Sequence, residues 1–265
     1  MTAPSAAPKS NVLIQQLQRM SHAPVLNEVE LARITREARA LLKVDTSAYA
    51  ILGIIASERG DEAEARRQFN AAERSGAPLD FVSMNFGIAL ARLGNPYEGL
   101  AQIERVNDIE EWSVPDDVGC YAQEAVACGE FEKATRAFDR LKQLGRDVTT
   151  IRGWDKLQFA TELGLDPEVV RQANEAVLAL IRERIPRVSM STRMDADADS
   201  RPPYFQIDHC LRGVDVDTLV DMSVAIAELF SREETPSEWS DGLVITVSDW
   251  SAAEFTDGGS SRAAG

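Results

Sequence analysis

The chain is poor in the residue types from which most recognisable active sites are built. Its 265 positions hold two histidines, three cysteines and only 6% aromatic residues. Two histidines (His22, in a turn beside Pro24, and His209), with no H-E-x-x-H run and no paired-cysteine motif, argue against a zinc site. The cysteines, Cys120, Cys128 and Cys210, are too few and odd in number for a disulfide framework. Cys120 and Cys128 lie eight apart in one expected helix, too distant to bridge within it. No glycine run has the form of a phosphate-cradling loop or a nucleophile elbow. Long apolar runs are missing as well. The most apolar late window, residues 219–230, is interrupted by Asp221 and Glu228 and is too short to span a bilayer. Residues 1–10 are rich in Ala, Pro and Ser, are expected to be disordered, and lack the apolar segment of a signal peptide. A reducing cytoplasm is the simplest compartment for such a chain.

Positive charge is also scarce. There are 28 Lys and Arg against 43 Asp and Glu, for a net charge of −15. Nucleic-acid phosphates and anionic membranes would be repelled, so neither is an expected partner, whereas a protein partner is. Residues 187–265 carry 15 acids and 6 bases, or −9; the 186 residues before them carry 28 and 22, or −6. That imbalance marks a change of character near Pro186. The remaining composition, 44% hydrophobic and 27% charged, is that of an ordinary folded protein with a sizeable core.

What the sequence does have is a period. Gly60, Gly94 and Gly129 each close an apolar stretch of helical length and are spaced by 34 and 35 residues. Gly53 and Gly87 keep the same register, as do Ala65, Gly99 and Ala134, and Phe69, Ile103 and Phe138. A fixed period of this length indicates stacked helical hairpins. Unit one covers about residues 46–79, with Asp61 capping its second helix and Glu64 at the capping-box position. Unit two covers about 80–113, with Asn95-Pro96-Tyr97-Glu98 as a strong helix start. Unit three covers about 115–149. Small residues at Gly53 and Ala65 let two helices cross closely, and Phe69 fills the space beside them.

Two helices precede the repeats: a short Gln-rich one, and one capped by Asn27 with the stripe Leu31, Ile34, Ala38, Leu41 and Leu42. After them, Gly164 lies 35 residues beyond Gly129, and Asp166-Pro167-Glu168 caps a long helix to about Ile185. This gives a degenerate fourth pair over 150–186, whose Trp154, Leu157 and Leu163 can cover the end of unit three, or whose last helix packs on the C-terminal region.

The three units together resemble the tetratricopeptide repeat, a helix–turn–helix unit with small residues at two crossing points and an aromatic in the second helix. The resemblance covers about residues 46–149. Unit two departs from it at Gly99 and Ile103, where Ala and an aromatic are usual, and no unit has Trp at the first aromatic slot, where only Tyr49 is aromatic. The resemblance implies an α–α solenoid whose first helices line a concave groove. The inward positions it implies are Ala50, Ile54, Phe81, Met84, Asn85, Ile88, Arg92, Gln123 and Val126. Most are apolar, so the expected ligand is an extended or helical protein segment with aliphatic or aromatic anchors. A subgroup of the family grips an acidic C-terminal tail through Lys, Arg and Asn. Here Ala50, Ile54 and Asp116 stand at three of those places, which argues against that mode. Another segment of this chain filling the groove is the competing reading.

Beyond Pro186 the period changes from helical to alternating. Val188, Met190, Thr192 and Met194 predict one strand and Phe205, Ile207, His209 and Leu211 a second. Asp215 or Asp217 caps a helix with the stripe Leu219, Met222, Ile226 and Leu229, and residues 243–247 predict a third strand. The expected result is a small β-β-α-β domain over 187–250, able to lean on the repeats or pair with a copy of itself as a homo-oligomer, with a disordered tail over 251–265. The run Asp195, Asp197, Asp199 invites a calcium loop, but Ser200 and Gln206 stand where glycine and a bidentate acid are needed. His209 and Cys210, as strand neighbours, point to opposite faces. His209 shares the apolar face and is expected to be a core histidine bonded to a backbone carbonyl.

The expected protein is thus mainly α, a tetratricopeptide-like solenoid with leading helices over 11–45 and a small α+β domain. It is expected to be a non-catalytic adaptor, with no cofactor, metal or catalytic set. The alternative is a dedicated chaperone or neutralising partner of a secreted or toxic client. A third reading is an enzyme using Asp195, Asp197, Asp199 and Asp208.

Overall fold

In the computed structural model the described residues are 9–250 without 22, 24, 107, 233, 234 and 241. The expectations for residues 1–8, for the tail over 251–265 and for His22 and Pro24 lie outside them. The described part is mainly helical, with a small three-stranded sheet towards its C-terminal side.

The leading helices are α1 (Lys9–Ser21) and α2 (Glu28–Leu41). Asn27 caps α2 by accepting from the Glu30 amide at 3.1 Å. Three hairpins follow: α3 (Ala48–Glu58) with α4 (Glu62–Arg74), α5 (Leu79–Arg92) with α6 (Pro96–Ile103), and α7 (Pro115–Ala127) with α8 (Phe131–Gln143). Asp61 caps α4 through the Glu64 amide. Asn95 does not cap α6 with its side chain, and instead accepts from Arg182; Pro96 at the first helical position still sets the start.

The crossings explain the small residues. A Cβ on Gly53 would lie 2.7 Å from the Phe69 ring. At the α5–α6 crossing two glycines meet, and a Cβ on Gly99 would lie 2.5 Å from the Gly87 carbonyl oxygen. The second hairpin therefore brings backbone against backbone, which is why Ile103 suffices where Phe69 stands in the first.

The periodic Gly60, Gly94 and Gly129 all take positive φ, at 67°, 78° and 75°, where L side chains are strained. They share a second property. A Cβ on Gly129 would meet Val170, one on Gly94 would meet Arg182 and Met190, and one on Gly60 would meet the backbone of Arg187 and Val188. Helix α10 (Pro167–Arg184) and the link after it thus run across the three hairpin turns in reverse order, from the third to the first. Helix α9 (Trp154–Glu162) covers the end of the third hairpin, with the Trp154 and Phe138 rings 5.2 Å apart. Of the two readings of residues 150–186, α10 follows the second more closely: it runs along the turns and packs against β3 and α11.

Strands β1 (Met190–Asp197), β2 (Tyr204–Leu211) and β3 (Leu243–Asp249) lie in the order β1-β2-β3, with β1 antiparallel and β3 parallel to β2. Helix α11 (Val216–Phe230), capped by Asp215 through the Thr218 amide, connects β2 to β3. Its Met222 and Ile226 are buried, and Leu219 and Leu229 pack at the margin. This layer leans on the helices. One continuous apolar cluster runs from Leu100 and Phe138 through Val177 to Phe205 and Ile245, so hairpin, helix and sheet share it.

Candidate ligand cavity

Helix α3 presents Ile54, Ser57 and Glu58 inward, α5 presents Asn85, Ile88 and Arg92, and α7 presents Cys120, Gln123 and Glu124. These spacings of three, four and seven residues are single helical stripes. They converge on a cavity of about 420 Å³. Two further walls come from outside the repeats: Leu17 and Ser21 of α1, and Met190, Thr192 and Met194 of β1. The concave side is therefore narrowed by this chain's own α1 and β1 rather than left as an open groove.

Of the nine inward positions expected, Ile54, Asn85, Ile88, Arg92 and Gln123 line the cavity. Ala50 and Val126 are fully buried and offer no surface: Ala50 packs with Phe69 and Phe86, and Val126 lies in the main core. Phe81 bridges the cores of the first hairpins. Met84 lines a separate small depression beside Ile103 and Trp112. Those four lie on turns of the helix that face neighbouring helices, so the stripe was drawn too wide.

The main feature missed is charge. Glu58 is only 2% exposed and is paired with both Arg92 and Arg212. Arg212, after β2, also donates to the Ser21 carbonyl and stacks 3.8 Å over the Trp250 ring. This cluster ties α1, α3, α5 and the sheet together. Burial pushes both guanidinium groups down to about 10, with Arg212 adding to the shift at Arg92, so both stay charged at neutral pH. Burial raises the Glu124 carboxyl, against the pull of Arg92 and Arg152. Cys120 is exposed on the cavity side; partial loss of hydration and then the nearby Glu124 lift its thiol to about 11, leaving it protonated. Glu58 and Glu124 could have been found by extending the stripes one turn from Ile54 and Cys120. Arg212 and β1 carry no such local signal.

His209 is buried and lies in a second polar chain behind the cavity wall. Asn174 of α10 donates to the Ala127 carbonyl at 3.3 Å and to the Tyr97 hydroxyl at 3.2 Å, which leaves its oxygen to accept from His209 Nε2 at 2.8 Å. His209 Nδ1 is then the acceptor for the Thr192 hydroxyl at 3.3 Å. The histidine is a core residue as expected, but its partners are side chains rather than a backbone carbonyl. Burial lowers its pKa to about 4 from 6.5. The unfolded chain takes up a proton near pH 6.5 that the folded chain refuses until about pH 4, so stability falls as pH drops through that window. Between pH 7 and 4.5, urea unfolding should show a loss in the native chain exceeding that in His209→Gln by about 2–3 kcal/mol. Equal losses would mean His209 is not held neutral.

The acids considered for an enzyme do not converge. Asp208 is buried and accepts from Arg193 at 2.7 Å, Thr246 at 2.9 Å and Ser248 at 2.8 Å. Asp195 lies 3.5 Å from Lys156, and Asp197 accepts from the amides of Asp199 and Ser200 in the hairpin loop. Among the described residues no group of three or more His, Cys, Asp and Glu is placed to hold a metal, and no helix is long and apolar enough to cross a membrane. Comparison with protein-family models, curated proteins and solved structures gave no match.

Proposed function

We propose that the three hairpins are tetratricopeptide-type repeats forming a short solenoid, and that the protein is a cytoplasmic, non-catalytic adaptor that takes a segment of a partner protein into the cavity between the repeats and the sheet. The observation that carries this reading is the convergence of three helical stripes on one cavity whose polar groups are not used up internally. Among the described residues Gln123 and Arg152 form no hydrogen bond or ion pair, and the Asn85 side chain uses its amide on the Phe81 carbonyl and leaves its oxygen open. Ile54, Ile88 and Leu17 supply apolar surface for an anchor worth roughly 1.5–3 kcal/mol when buried. The volume fits a few residues of peptide, as ligand sites of this size do.

Capture from the native host's lysate, read by mass spectrometry, tests the reading. Proteins retained by the native chain should be lost from Ile88→Asp, by tenfold or more, and kept by Met84→Asp, whose side chain lies outside the cavity. A partner set indifferent to Ile88→Asp would remove the cavity from consideration.

A further inference from the structure

Strand β1 is an edge strand of the described sheet, and Met190, Ser191, Thr192 and Met194 along it line the cavity. The register settles which groups it offers. Arg212 donates its amide to the Ser189 carbonyl at 2.9 Å, so Ser189 and Arg212 are a hydrogen-bonded antiparallel pair. By alternation Ser191 with Cys210 and Arg193 with Asp208 are the next such pairs. The amides and carbonyls of Met190, Thr192 and Met194 therefore point away from β2, and these three residues line the cavity. Among the described residues no backbone hydrogen bond reaches them from any other element. The strand is held at both ends of this stretch: the Met190 methyl lies 3.3 Å from a Cβ position on Gly94, and the Met194 methyl 3.7 Å from one on Gly153. Between them Thr192 looks across the cavity.

A buried sheet edge with unpaired backbone groups is a template for another strand. We propose that the partner segment binds as an added β-strand on the outer edge of β1, with alternate side chains directed at the helical wall. This rests on the cavity being the binding site and specifies how it is used. The wall gives the segment's chemistry. Arg92 and Arg152 line it beside Glu58 and Glu124, while Arg212, buried behind the wall, already holds Glu58, so the group as a whole has one more positive than negative charge within a chain of net −15. Arg152 forms no ion pair among the described residues and acts at a distance on Glu124. Beside these lie Ile54 and Ile88. The occupant is therefore an extended segment of another protein with one carboxylate set two residues from an aliphatic side chain, so that both fall on the same face of the added strand. A polyacidic tail is disfavoured by the protein's overall charge.

The test uses the full chain and a displayed library of random twelve-residue peptides, with Ile88→Asp as the counter-selecting surface. An enriched peptide is synthesised and its affinity measured by calorimetry, together with copies N-methylated at each backbone amide in turn. Strand addition requires alternation: methylation at every second amide should weaken binding tenfold or more, and methylation between them less than twofold. Thr192→Pro removes an outward amide without breaking a β1–β2 bond, and should weaken binding tenfold or more. Met84→Asp, whose side chain lies outside the cavity, should bind within threefold of native. Circular dichroism confirms that both variants fold; if Thr192→Pro does not, the methylation series decides.

A peptide that depends on Ile88 yet ignores both methylation and Thr192→Pro would overturn strand addition and leave the cavity reading standing. An enriched set without the carboxylate would overturn the stated chemistry. Failure to enrich any peptide would overturn both. If the native chain elutes as a dimer that Thr192→Pro converts to monomer, the occupant of the edge is a second copy and the foreign segment is wrong.

Discussion

Replacing Glu58 with Ala should lower the unfolding free energy by about 3–5 kcal/mol, a large fraction of the total for a folded domain. The physical reason is not the loss of a strong attraction. Arg212 has a side chain only 4% exposed, and removing its carboxylate partner leaves a buried charge with nothing to offset it. Arg92, 23% exposed at the cavity wall, can recover some hydration and contributes less. The double replacement Glu58→Leu with Arg212→Leu should therefore recover most of what Glu58→Ala loses, since two buried charges disappear together. Guanidinium unfolding of the native chain, Glu58→Leu, Arg212→Leu and the double replacement, with Glu58→Ala alongside, measures this. If Glu58→Ala and the double replacement are equally destabilised, the pair does not work as described. Because the cluster joins α3 to the loop after β2, the Glu58→Ala chain should also lose protection from hydrogen exchange first in α1 and β1.

The second large effect is a reversal of sign between two glycines that both lie inside helices. Alanine at such a position ordinarily stabilises by about 1 kcal/mol. At Gly119 of α7 the nearest atom to an added Cβ is Ile151 Cγ2 at 4.0 Å, so Gly119→Ala should realise that gain and raise Tm by about 2–4 °C. At Gly87 an added Cβ would lie 2.6 Å from the Gly99 carbonyl oxygen and closer still to the Ile103 side chain. The side chain can turn, but a helix backbone cannot move without separating α5 from α6. Gly87→Ala should therefore destabilise by about 2 kcal/mol net, overpacking outweighing propensity, and lower Tm by several degrees. A Tm for Gly87→Ala at or above native would show that the crossing is looser than the geometry says.

These two predictions also show where a linear reading succeeds. Gly53, Gly60, Gly87, Gly94 and Gly129 stand out in the sequence because each answers a local need, a close crossing or a left-handed turn, which recurs whenever the unit recurs. The Asn27, Asp61, Asp166 and Asp215 caps are local in the same sense, as each side chain reaches an amide two or three residues away. Strand alternation in β1 and β2 was legible because one sheet face is apolar apart from the paired Thr192 and His209. The candidate site was half legible. Ile54, Asn85, Ile88, Arg92 and Gln123 follow from helical spacing, whereas Ala50 and Val126 follow from it equally well and are buried.

By itself the sequence determined the helical hairpins, their glycine-dependent turns, the alternating strands and the acidic balance, all of which depend on residues within one or two turns of one another. Tertiary structure alone decided that α10 crosses the hairpin turns, that α1 and β1 wall the cavity, and that Glu58 is neutralised from 154 positions away by Arg212. The reason is one of range. Propensity, capping and periodicity act along the chain. The pairing of a buried charge, or the facing of an unpaired strand edge, depends on which distant segments the shared core has drawn together.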